Sequence, residues 1–161
     1  MLKIGVNKMN IQFSHLNIVS KDWKKLARFY INVFNCKPKL PERHLSGEWL
    51  DKATKIKNVK IDGIHLILPG NFDNPPTLEI FEYNENNSES TKSINRPGFA
   101  HIAFQVDDVN AICQLLEKNG GSKLGEIITQ EIEGVGTITF IYAKDPEDNV
   151  IELQHWEYLK K

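Results

Sequence analysis

An α+β fold assembled from two similar halves is the expectation from this chain, with curved mixed sheets about a cleft and helices on the outer face. Two short segments each occur twice: Phe13-Ser14-His15-Leu16 lines up with Phe99-Ala100-His101-Ile102, and Leu78-Glu79-Ile80 with Ile151-Glu152-Leu153. The succession of alternating and helix-periodic segments also repeats, reading strand, helix, then two or three strands in each half. Between the halves lies a run of mostly Asn, Ser, Glu and Lys, the composition of a solvated connector.

The division that follows is a polar lead-in over 1–10, a first module over 11–83, a connector over 84–97 and a second module over 98–156. Residues 12–19 alternate as a strand, with Phe13, His15 and Asn17 on one face and Leu16 and Ile18 on the other. Ser20 is placed to cap a helix over about 21–35, with Asp22 in its first turn and Trp23, Leu26, Tyr30, Val33 and Phe34 along one side. Pro38 and Pro41 end that helix and open a long connection. Strands follow over 58–68, interrupted at Asp62-Gly63, and over 77–83. In the second half, residues 99–106 form a strand, and Asp107 or Asp108 caps a helix carrying Val109, Ile112, Cys113 and Leu116. Gly120-Gly121 stops that helix. Strands at 124–132, 136–143 and 149–156 complete the module, the last two joined by the turn residues Asp145 to Asn149.

A chain of 161 residues is long enough for one compact core. A net charge of -1 argues against nucleic acid or an anionic membrane as the main partner, because both select basic surfaces. No apolar run approaches the ~20 residues that span a bilayer. The stretch Met1 to Met9 is too short and polar for a signal peptide, so a cytoplasmic location is the default expectation. Cys36 and Cys113 fall in helix-like stretches and read as small buried hydrophobes.

Strand parity gives the four repeated polar residues a common purpose. Glu79 lies between Leu78 and Ile80, and Glu152 between Ile151 and Leu153. If those neighbours face a helix-covered core, both carboxylates face the other way. His15 and His101 share that parity. If the halves pair about a pseudo-two-fold axis, their sheets enclose one cleft where the four groups can meet, either within one chain or by exchange of modules across a dimer. Unpaired carboxylates are costly to bury, and a divalent cation is a natural common partner. The His15, Glu79, His101, Glu152 set offers nitrogen and oxygen donors without thiolate, which suits Ni, Co, Zn, Mn or Fe. His15 and Glu79 are 64 residues apart, against 51 for His101 and Glu152; the excess fits an insertion within 39–58 of the first half.

These residues carry a resemblance to the vicinal oxygen chelate superfamily, which includes glyoxalase I, methylmalonyl-CoA epimerase, extradiol dioxygenases, fosfomycin-resistance enzymes and bleomycin-binding proteins. The matching pieces are Phe13 to Val19, Pro76 to Phe81, Gly98 to Asp108 and Asp145 to Gln154. Together they span roughly 11–156. Asp148 stands where the family usually has Gly. The resemblance implies paired βαβββ modules, metal ligation by His15, Glu79, His101 and Glu152, and a homodimer. The His, Glu, His, Glu order is similar to bacterial glyoxalase I (lactoylglutathione lyase), whereas the epimerase commonly has Gln where Glu79 stands.

The implied activity is that of a metal-dependent isomerase or lyase that moves a proton through a metal-stabilised enediolate. Glu152 is the first choice as base and Glu79 the second. The substrate would be a small molecule such as a thiol adduct or an acyl-CoA. The alternatives are a methylmalonyl-CoA-type epimerase, a non-catalytic bleomycin-type binding protein and a ring-cleaving dioxygenase.

Other polar groups have weaker expectations. His65 has the parity to face the cleft, and a supporting role suits it better than catalysis. Gln105 and Gln154 have cleft parity too. Arg43, His44 and Trp49 lie in the insertion, expected as surface loop. His155 has the parity of Leu153, away from the cleft. Gly134-Val135-Gly136 lacks a phosphate-loop pattern, and no serine or cysteine nucleophile motif is present.

Overall fold

The computed structural model describes residues 12–87, 92–95 and 97–160; the expected lead-in at 1–10 lies outside them, as do residues 88–91 and 96 of the connector. The first module comprises β1 (His15–Val19), α1 (Trp23–Phe34), β2 (Lys37–Ser46), α2 (Glu48–Thr54), β3 (Lys60–Ile67) and β4 (Thr77–Tyr83). The second comprises β5 (His101–Gln105), α3 (Val109–Lys118), β6 (Ser122–Lys123), β7 (Ile128–Ile132), β8 (Gly136–Lys144) and β9 (Val150–Tyr158). The sheets run β1-β4-β3-β2 and β5-β9-β8-β6, with β7 also paired to β8. In each, the first strand lies parallel to the last and the remaining pairs are antiparallel, so both sheets are mixed and open. The α+β class is as the sequence reads.

One apolar layer serves both sheets. Leu26, Tyr30 and Val33 of α1 pack with Leu66, Leu78 and Ile80, and the same cluster continues into Cys113, Leu116, Ile141, Ile151 and Leu153. The rings of Phe34 and Phe104 stack across the module boundary, with centroids 4.0 Å apart. Apolar residues at i, i+3, i+4 and i+7 give α1 one buried stripe, and the strand parity given above supplies the other surface. Removing such apolar area from water is the main stabilising term of the fold.

A turn of the second module also ties down the first helix. Glu147 accepts hydrogen bonds from Ser20 Oγ at 2.6 Å and from the backbone N–H groups of Lys21 and Asp22. Its carboxylate therefore sits at the positive end of α1. Beside it, buried Asp145 accepts from Tyr30 Oη at 3.0 Å, from Asn149 Nδ2 at 2.7 Å, and from the N–H groups of Glu147 and Asn149. Burial pushes the Asp145 carboxyl above the usual carboxylate range, and the bonds it accepts partly offset that rise. Burial likewise pushes Tyr30 well above the ordinary phenol value, with the Asp145 charge adding to the rise.

The structure corrects several local expectations. Asp22, not Ser20, caps α1, its side chain accepting from Lys25 N–H; Ser20 is drawn away to Glu147. The region after Pro38 is a strand and a short helix rather than a loop. Pro38 and Pro41 are tolerated because β2 is an edge strand, and its register shifts between Lys39 and Arg43. Asp62-Gly63 does not interrupt β3. A Cβ at Gly63 would stand 2.1 Å from the Ile80 carbonyl oxygen, so the neighbouring strand approaches where only glycine fits. Asp148, in place of the family's Gly, adopts a φ of 64°, a left-handed conformation that aspartate tolerates better than most residues. No helix among the described residues is long and apolar enough to cross a membrane.

Candidate metal centre

The face of each sheet opposite the helices carries the repeated polar residues. Glu79 is on the inner strand β4, where Leu78 and Ile80 are fully buried beneath the helices and turn it to the open side. Its cross-strand neighbours are Asn17 on β1 and His65 on β3. His15, two residues before Asn17, reaches it diagonally, with His15 Nε2 3.2 Å from Glu79 Oε2. In the second module, Glu152 has Ala103 and Tyr142 as neighbours, and His101 reaches it by the same diagonal, Nε2 to Oε2, at 3.0 Å. The two carboxylates are only 12% and 14% exposed, and each has an imidazole nitrogen within polar reach, as a carboxylate withdrawn from water requires.

The pairs differ in what surrounds them. Glu79 also accepts from Asn17 Nδ2 at 3.3 Å and faces His65 Nε2 at 3.0 Å through its other oxygen. The second ring nitrogen of His65 is 3.1 Å from Thr77 Oγ1. Burial lowers the pKa of His65, and the charges of Arg43, His15 and Lys39 add to this, against the opposing pull of Glu79. On the same face, α2 lays Leu50 against Val59, Ile61 and Phe81 and walls one end of the module. The second module has rings there instead: Tyr142 lies edge-on to His101 at 5.3 Å and to Phe140 at 5.7 Å.

The four sequence-selected residues thus form two His–Glu pairs, one per module. Among the described residues they do not combine into a group of three or more arranged around one ion. Even His15, His65 and Glu79 fail to do so, because the carboxylate stands between the rings, one on each oxygen. Each pair by itself fits a metal's donor geometry. Ligand atoms about 2.0–2.2 Å from one ion lie about 2.8–3.6 Å apart when they subtend a right or tetrahedral angle. The observed separations of 3.2 and 3.0 Å fall within that range, which ordinary N–H···O hydrogen bonds share, so the spacing is compatible with a metal without singling one out. A cavity of about 480 Å³ between β1 and β5 is lined by both His15 and His101, together with Asn17, Tyr30 and Phe99. Its volume suits a small ligand.

The model for the Glyoxalase/Bleomycin resistance protein/Dioxygenase superfamily matches residues 12–153. The chain belongs to that superfamily. A glyoxalase family protein from Bacillus cereus is similar in fold, with a TM-score of 0.78 and 16% identity over 94% of this chain and 97% of that one. A glyoxylase/bleomycin resistance protein/dioxygenase domain from Frankia sp. EAN1pec gives a TM-score of 0.61 and 18% identity over 92% and 100%. The fosfomycin resistance protein FosX from Listeria monocytogenes gives 0.59 and 20% over 92% and 96%. No curated protein matches this sequence.

Parity on the strands also places the remaining polar residues. His65, Gln154 and Trp156 share the open face, with Gln154 accepting from Trp156 Nε1 at 3.2 Å. His155 instead turns to the Val106 carbonyl oxygen at 2.9 Å. Three participants gave no earlier signal of their role: Asn17, Thr77 and Tyr142. Asn17 and Thr77 stand two residues from His15 and Glu79, so spacing puts them on the same faces, but which groups they reach is set by strand pairing. Tyr142 could not be found that way, since its place beside Glu152 is a matter of cross-strand register.

Proposed function

We propose that this protein is a metal-dependent, glyoxalase-like isomerase or lyase that moves a proton on carbon next to a carbonyl. The observation that carries the reading is the recurrence of one His–Glu pair at equivalent register positions of both modules, at metal-ligand spacing. His15, Glu79, His101 and Glu152 would hold one divalent ion (Ni, Co, Zn, Mn or Fe), which when bound supplies Lewis-acid stabilisation of negative charge on substrate oxygen. Glu152 is the base. Among the described residues His101 is its one polar partner, so it can turn toward a substrate carbon, take its proton and return it to the neighbouring carbon by breaking a single such contact. His101 and Tyr142 set the position from which it moves.

Because the two pairs do not gather into one ligand group among the described residues, the complete centre is assigned to a homodimer, the first-module pair of one copy facing the second-module pair of another. Phe13 and Phe99 support this. Each lies two residues before its histidine, and they are 71% and 92% exposed, the kind of apolar surface that a second copy would cover.

The test is calorimetric titration of metal-free protein with each of the five ions, followed by assays with methylglyoxal–thiol adducts and methylmalonyl-CoA. One ion per chain is expected, lost in both His15→Ala and His101→Ala. Mixing those two variants should restore binding, because one of the two centres in a mixed dimer is intact. Unchanged metal binding in either variant would sink the centre. Failure of the mixture to recover would remove the shared arrangement alone.

A further inference from the structure

The first carboxylate is held far more tightly than the second. Register equates Glu79 with Glu152, His65 with Tyr142, Asn17 with Ala103 and Thr77 with Val150. Apart from the histidine common to both pairs, the groups that support Glu79 (His65, Asn17 and Thr77) are therefore replaced around Glu152 by Tyr142, Ala103 and Val150. A continuous chain of contacts runs through the first module. Thr77 Oγ1 is 3.1 Å from His65 Nδ1, His65 Nε2 is 3.0 Å from Glu79 Oε1, and Glu79 Oε2 is 3.2 Å from His15 Nε2. Asn17 donates to the same Oε2. Thr77 is buried, with no solvent to satisfy its hydroxyl, so the bond to His65 fixes both partners. If that hydroxyl donates to Nδ1, the ring proton sits on Nε2 and points at Glu79.

We propose that His65, oriented by Thr77, is a positioning residue that pins Glu79, making Glu79 the fixed donor of the pair and leaving Glu152 as the carboxylate that swings. The pinning rests on distances within one module. The division of labour between the carboxylates rests on the metal-centre reading. With both oxygens engaged, Glu79 can turn only by breaking contacts to two rings and an amide. Glu152 has one such contact to break.

Two measurements separate the halves of the proposal. The first uses metal-free protein and the imidazole nitrogen resonances of His65. The Nε2–H tautomer is expected, and Thr77→Val, which installs the residue found at the equivalent place, should turn it into a mixture. An Nδ1–H tautomer, or a spectrum indifferent to Thr77→Val and to Glu79→Gln, would overturn the pinning. The second measures zinc or nickel dissociation constants. His65→Tyr, again borrowing the other module's residue, should weaken binding about 10–100-fold, and His65→Gln should recover part of that loss. In a Glu79→Gln background, His65→Tyr should add less than about twofold, because its effect passes through Glu79. An equal loss in both backgrounds would mean that His65 acts on the metal or on the fold directly, and would end the positioning role. If the parent protein binds no metal, the division of labour falls together with the proposed function, while the nitrogen spectrum still decides the pinning.

Discussion

The two modules share strand order, helix placement and a His–Glu pair, yet they surround that pair differently. In the first, Glu79 sits among two imidazoles and an amide, beneath a wall formed by α2. In the second, Glu152 meets one imidazole, with a tyrosine ring alongside. The two sheets therefore keep one backbone template while differing in the polar groups around the shared pair, the difference on which the proposed division of labour rests. The register makes the comparison residue by residue, so each difference can be transplanted and tested.

The largest expected effect is on turnover. On a proven substrate Glu152→Gln should lower kcat by about 10²–10⁴-fold, with metal affinity changed much less. Glu79→Gln should mainly weaken metal binding. If the two variants prove interchangeable, the contrast between modules has no chemical meaning.

Next in size is the joint between modules. Asp145→Ala strands four donors, among them the buried Tyr30 hydroxyl. It should cost about 3 kcal/mol, or about 6–12 °C in Tm for a chain of this length. The sign with pH follows from the raised Asp145 pKa. The folded state holds that proton more tightly than the unfolded state, so this ionisation's contribution is full below the ordinary value of 3.8 and is lost as pH rises through the folded pKa. The cost of Asp145→Ala in urea unfolding should therefore grow between pH 7 and pH 4. A constant cost would place the loss elsewhere.

Tyr142→His would give Glu152 the ring that Glu79 already has. About tenfold tighter metal binding with slower turnover is expected, and no change in either would show that the flanking residue is irrelevant. The smallest effect concerns the thiols. Burial pushes Cys36 up to about 12 and also raises Cys113, so the native protein should react negligibly with a thiol-directed disulfide reagent at pH 8. Prompt release of two equivalents would show that the helix layer opens readily.

Much of this was legible in the sequence because alternation and repetition are local signals. The parity of Leu78-Glu79-Ile80 and Ile151-Glu152-Leu153 sufficed to put both carboxylates on the open face. β4 runs Thr77–Tyr83, as its pattern reads. Asp108, one of the two aspartates the sequence offered, caps α3. The turn from Asp145 to Asn149 joins the last two strands. β2 and α2 escaped because prolines read as breakers unless the strand is known to lie at an edge. Whether the four groups meet within one chain or across two copies stayed open, because parity states which way a side chain faces and nothing about where the other sheet lies. The links from Thr77 to His65 and from Tyr142 to Glu152 depend on strand pairing, which no local window contains.

The common oily layer and the Glu147 cap on α1 have a consequence for inheritance. Neither repeat owns a complete interior: Phe34 needs Phe104, and the start of α1 leans on a carboxylate far along the chain. A protein cut between Tyr83 and His101 should yield soluble material only when both fragments are made together. Ancestral doubling of such a unit would have turned two interchangeable halves into dependent ones, and from then on they could diverge in chemistry but not separate.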